Sequence, residues 1–195
     1  MTASWRAAPV LGLLLAPALF AIDAVRHVVE GRMLLHMLLQ FPLLAASGAA
    51  AAWLVARHAP RPASAWHRFD GDGLFAVLGA LVVSSLWMLP VALDAAVLQS
   101  GVAAGKYASW WLAGAALRLS WHGLRPAMHL FLAGNLGWML ATAGLLYAEA
   151  EQRLCVSYRY DEQAWTGVGL CAAAVALFLQ AARSGLPRSR GTPAP

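Results

Sequence analysis

The sequence predicts an all-α, polytopic transmembrane helix bundle, and three observations carry that reading. Of 195 residues, 61% are hydrophobic and 12% are charged, whereas a soluble domain carries about 25% charged residues. The apolar residues run in long Ala/Leu-rich stretches, with a mean hydropathy of +0.61; they do not alternate with polar residues, as the strands of a membrane barrel would. The charges fall between those stretches. A net charge of +5 and a pI near 9.9 therefore read as loop charge that sets topology, with no basic soluble module for nucleic acid.

Six spans follow in order within a single domain, residues 1–183. The first covers 9–25. Its Ala16-Pro17-Ala18 sequence has the pattern of a signal-peptide cleavage site, but the apolar run continues past it, so it reads as an uncleaved anchor. The second covers 33–56, long enough to cross a bilayer, and residues 57–73 after it form the longest polar connection, basic and proline-bearing. The third, 74–98, contains Pro90, which removes a backbone donor and predicts a kink, with a carbonyl near position 86 left without its usual partner.

The fourth, 107–121, is short and bracketed by Lys106 and Arg118, which predicts snorkelling or tilt. The fifth, 127–148, leads a polar line of Asn135, Met139, Thr142, Leu146 and Glu149 along one helical face. The sixth covers 164–182, and the polar tail, 184–195, is expected to be disordered.

Charge asymmetry orients this arrangement. One side holds Arg6, Arg57, Arg61, Arg68, Arg118, Arg125, Arg183, Arg188 and Arg190; the other holds Arg26, Arg32, Lys106, Arg153 and Arg159. The positive-inside rule then puts both termini in the cytoplasm. His36, Met37 and Gln40 fall in the outer half of the second span, Asp94 near the outer end of the third, and Glu149 at the outer end of the fifth. Cys155 follows in the outer loop.

That depth sorting defines a candidate metal site. Met33, His36, Met37 and Gln40 lie three or four residues apart and share a helical face. Thioether and imidazole together suit copper, with Asp94, Glu149 and Cys155 as further candidate ligands. The alternative is that His36 and Gln40 hydrogen-bond Asp94, Glu149 or the backbone freed by Pro90, as glue between helices. Haem is disfavoured, because the outer leaflet offers one imidazole where a bis-histidine site needs two.

No nucleophile elbow, Walker A loop, HExxH or dinucleotide fingerprint is present, so an enzyme is not expected. Cys155 and Cys171 make neither a disulfide framework nor a zinc ribbon. Asp94 near Pro90 leaves a small transporter or ion pathway open. The partners expected are the lipid bilayer and other membrane protein subunits.

The run His36-Met37-Leu38-Leu39-Gln40-Phe41-Pro42-Leu43-Leu44 resembles the opening motif of the CtaG-like membrane proteins linked to cytochrome c oxidase assembly, over about residues 30–55. In that family a His-Met pair begins a span and is followed by a second histidine and a Pro-Leu-Leu stretch. The resemblance implies copper delivery or assembly support for a respiratory enzyme at the outer face of a bacterial inner membrane, with His36 and Met37 carried over. Gln40-Phe41 stands where the pattern has its second histidine, which excludes a two-histidine site on this span. The alternative from another class is a non-catalytic structural subunit whose polar stripes hold helices together.

Overall fold

A computed structural model describes residues 4–152, 154, 158 and 160–185, and every regular element among them is helical. Helix α1 spans Ser4–Ala21 and α2 spans Asp23–Glu30, turned 90° from it. Helix α3 spans Met33–His58, and its residues His36–Gln40 form a π turn. Proline 42 explains that turn: its ring crowds the carbonyl four residues back and it has no N–H to donate, so widening the preceding turn keeps the helix running.

Helix α4 (Pro60–Phe69) meets α5 (Leu74–Trp87) at 86°. Then come α6 (Pro90–Leu98), α7 (Ser100–Ser120), α8 (Pro126–Glu149) and α9 (Tyr160–Gly185). Prolines 60, 90 and 126 open their helices, where a missing N–H costs nothing.

Helix α7 lies against α3 at unusually close range. A Cβ added at Gly48 would sit 1.8 Å from the Trp111 carbonyl oxygen, and one at Gly114 would sit 1.9 Å from that of Ala45. Only glycine admits this approach, as at small-residue interfaces between membrane helices. On one side of the seam Met33, Met37, Phe41, Trp87, Leu93, Tyr147 and Leu170 form an apolar cluster. Val77, Ala80, Ala113, Leu124 and Leu132 form a second, and Ala16, Phe20, Val29 and Leu44 seat α1 and α2.

Among the described residues three helices are long and apolar enough to cross a membrane: Met33–His58, Pro126–Glu149 and Asp161–Arg183. Counting each bent pair, α1 with α2 and α4 with α5, as one broken span raises the number to five. The third predicted span is two helices, since the chain breaks at Met88 and Leu89 before Pro90. There the Leu89 N–H reaches Leu86 O at 3.2 Å, and the Tyr147 hydroxyl donates to Met88 O at 3.0 Å. The freed carbonyl is thus Met88's, and α8 satisfies it.

Residues 57–73 are no simple loop, because they contain α4. The fourth segment begins at Ser100, seven residues before its predicted start, so Lys106 lies inside it. Cys155 and the tail beyond Gly185 lie outside the described residues.

Valine at position 48 should destabilise the bundle by about 3 kcal/mol, since overpacking a closed seam typically costs 1–3 kcal/mol or more. Gly79→Ala, where a Cβ meets nothing within 4 Å, should lose none. Unfolding in mixed micelles measures both, and equal melting of the two variants contradicts the close seam.

Candidate functional site

Where α2, α3 and α7 meet, four polar side chains are closed off from solvent. Glu30 is 4% exposed; His36, Gln40 and Lys106 are 0% exposed. The Lys106 ammonium donates to Glu30 Oε1 at 2.7 Å, to His36 Nε2 at 2.7 Å and to Gln40 Oε1 at 3.1 Å. An ammonium has three hydrogens, and these three acceptors use them all. Lysine only donates here, so His36 Nε2 is the acceptor and the ring proton resides on Nδ1, which donates to the Tyr158 hydroxyl.

Glu30 is the anionic counterpart. Its Oε1 also accepts from Gln40 Nε2 at 3.1 Å, and its Oε2 accepts from Arg26 Nε at 2.9 Å, one turn back on α2. The Tyr107 hydroxyl lies 2.7 Å from Glu30 Oε1 and 3.0 Å from the Phe20 carbonyl oxygen, which ties the end of α1 to the cluster. With Arg26 and Lys106 positive, Glu30 negative and His36 neutral, the cluster carries one net positive charge.

Apolar and aromatic walls keep the local dielectric low. Phe41 sets its ring edge to face against His36, centroids 5.2 Å apart at 72°, and stacks on Trp110 at 5.0 Å. On the outer flank a pocket of about 340 Å³, lined by Asp23, Arg26, His27, Glu30, Leu98 and Ser100, reaches the Arg26–Glu30 pair. Chemically the arrangement joins α1, α2, α3, α7 and the α8–α9 connection through paired charges. It also links Glu30, as acceptor, through Lys106 and His36 to Tyr158 in one line of hydrogen bonds.

The candidate ligands separate on this geometry. His36 is buried with both ring nitrogens taken, by Lys106 and by Tyr158. Met33 and Met37, at 0% and 2% exposure, pack in the apolar cluster. Asp94 is half-buried on α6 and Glu149 is exposed at the end of α8, and neither supplies the bonds that His36 makes. Among the described residues no group of three or more His, Cys, Asp or Glu side chains is placed to hold a metal ion.

The expectation of His36 and Gln40 as interhelical glue keeps its donors and changes its partners, to Glu30 and Lys106. Lys106 does not snorkel, because its charge is neutralised where it stands. Glu30, Lys106, Tyr107 and Tyr158 were not among the sequence candidates. A signal did exist for Lys106: a cation within an apolar segment, sorted to the same side as His36.

The polar line of α8 lies largely on its outer face, so Glu149 does not turn toward His36. Asn135, Thr142, Leu146 and Glu149 are exposed, and the buried face is Leu132, Gly137, Gly144 and Tyr147. Asn135 Nδ2 donates to Phe131 O at 2.8 Å and Thr142 Oγ1 to Trp138 O at 2.5 Å. Each folds back on its own helix, the usual resort of a polar side chain on an apolar surface.

No protein-family model, curated protein or solved structure matches the chain.

The cluster orders three variants. Glu30→Gln leaves two buried or half-buried cations facing one another and should cost about 3–5 kcal/mol. Lys106→Met should cost less, because Arg26 still pairs with Glu30, and the double variant should recover part of the Glu30→Gln loss. Unfolding titrations in mixed micelles rank them; simple additivity in the double variant would show that the two groups are not coupled.

Proposed function

We propose that the chain is a multi-pass protein of the bacterial inner membrane that serves as a non-catalytic component of a membrane complex, assisting its assembly. The observation that carries this reading is the outward line of α8. Asn135 and Thr142 stand in the middle of a helix apolar enough to span, on the face turned away from the bundle. Polar side chains at such a depth are costly toward lipid and are used between helices. Their bonds to Phe131 O and Trp138 O leave the Asn135 amide oxygen and the Thr142 hydroxyl lone pairs, to which a partner helix laid on α8 can donate. The resemblance over residues 30–55 makes the partner, within this proposal, a haem-copper respiratory enzyme.

The reading includes six spans with both termini in the cytoplasm. Helix α7 is the added crossing: at about 1.5 Å per residue its 21 residues match the bilayer core of about 30 Å, and the neutralised Lys106 lowers the cost of burying it. Reporter fusions after residues 65 and 155 should then report opposite sides, and agreement between them overturns the six-span arrangement.

Copper loading, which the His-Met resemblance implies, would require His36 to give up Lys106 or Tyr158. Lys106→Met frees Nε2, so copper bound by the purified protein should rise in that variant and vanish in His36→Ala if His36 is the ligand. Equal copper in all three proteins removes His36 from any metal role.

For the partner, the tagged chain extracted in mild detergent should bring a second membrane protein with it. Asn135→Leu with Thr142→Val should reduce that recovery at least fivefold at unchanged melting temperature. Unchanged recovery with the double variant would place the contact elsewhere.

A further inference from the structure

At the end of the bundle opposite the charged cluster, α4 lies flat. It turns 86° from α5 and is held there by a second buried set of bonds. Trp66 Nε1 donates to Ser120 Oγ at 2.9 Å, Ser120 Oγ donates to Asp70 Oδ2 at 2.9 Å, and Asp70 caps α5 through the Phe75 and Ala76 N–H groups at 3.0 Å each. Gly73, at φ +72°, makes the corner in a left-handed conformation that a side chain would strain. Helix α4 is therefore a fixed part of the bundle.

Its composition is one-sided. From Trp53 to Phe69 the chain has three arginines, two histidines and no acid. Arg61 and Arg68 are seven residues apart on one exposed face of α4, while Ala63 and Trp66 on the opposite face are half-buried. Arg57, at the end of α3, sits over the Trp53 ring at 5.5 Å. Nearby Asp70 turns inward, 3% exposed, and Asp72 lies 3.9 Å from Arg125. Beside this basic face Phe69 and Phe75 are 64% and 59% exposed and stack at 5.1 Å. Guanidinium groups that bond phosphate oxygens, next to apolar rings, match the headgroup and acyl levels of a bilayer surface.

We propose that Arg57, Arg61 and Arg68, carried by the flat helix α4 and its junction with α3, form a docking site for anionic phospholipid headgroups. Charge complementarity selects the occupant: three cations with no acid among them attract phosphodiesters of net negative charge over zwitterionic ones. The phenylalanines supply the apolar contact that a soluble polyanion would leave exposed.

The test uses the full chain in nanodiscs of phosphatidylcholine and phosphatidylglycerol at seven to three, with lipids retained after extraction counted by native mass spectrometry. The protein should retain phosphatidylglycerol over phosphatidylcholine beyond the input ratio. Arg57→Gln/Arg61→Gln/Arg68→Gln should reduce that preference about tenfold or more, and so should 0.5 M salt on the unaltered protein. The control Arg32→Gln, an exposed arginine at the other end of the bundle, should leave it unchanged. Absence of any preference, or an equal loss in the control, overturns the proposal; helical circular dichroism confirms that each variant is folded.

Discussion

A fully buried ammonium is the constraint that the rest of this structure answers. An unpaired charge taken out of water costs several kcal/mol even after relaxation, so Lys106 stands at 0% exposure only because three acceptors surround it. Those acceptors come from two other elements. Glu30 requires α2 to turn across the end of the bundle, and His36 and Gln40 require α3 to present two side chains, four positions apart, to one point. The π turn at His36–Gln40 does this: an extra residue in the turn rotates the ring and the amide together into the seam. Tyr107, next to Lys106 on α7, and Tyr158, in the α8–α9 connection, then close the two ends of the network.

The close seam between α3 and α7 serves the same constraint. Hydrogen bonds of 2.7 Å to Glu30 and His36 from Lys106 leave no room for a helix that rides further out. Gly48 and Gly114 bring the two backbones to the distance at which Lys106 reaches its partners without stretching. Packing and electrostatics are thus coupled: a larger residue in the seam also lengthens the bonds at the cluster. Fully satisfied polar groups in a low dielectric rigidify the core that holds them, and the apolar walls of Phe41, Trp110 and Met37 maintain that dielectric.

Much of this was legible in the residues, and the exceptions have physical causes. Composition and apolar runs were enough for an all-helical chain, and helix-face spacing put Met33, His36, Met37 and Gln40 together on a buried surface. Pro90 announced a break, although periodicity could not tell a kink from two helices. What spacing could not supply was pairing between distant segments. Glu30 looked like loop charge because only eight residues separate the turn at Ile22 from Gly31, and Lys106 looked like a snorkelling end because its helix starts seven residues earlier than its apolar run suggests. The spacing put the α8 line on one helical face but left open which face packs: Gly137, Gly144 and Tyr147, not the polar residues, make the closer contact. Small residues decide which face packs, since they let backbones approach, and hydropathy alone does not register them.

The two ends of the bundle use burial in opposite ways, and this bears on what the molecule presents outward. At one end charges are drawn in: Arg26 and Lys106 pair with Glu30 beside a neutral His36, beneath a surface that still carries Arg32 and Glu149. At the other end the buried Asp70 spends its oxygens on the α5 backbone and on Ser120, and the arginines of α3 and α4 remain outside. Between the ends the exposed surface is mainly apolar, with Asn135 and Thr142 on α8 and Ser85 on α5 as polar exceptions among the described residues. With the cluster's own bonds satisfied, the basic helix and the α8 line are two surfaces of the described residues left for a partner. The flat basic helix fits a charged plane and the α8 line fits another helix, so the two surfaces call for occupants of different chemistry.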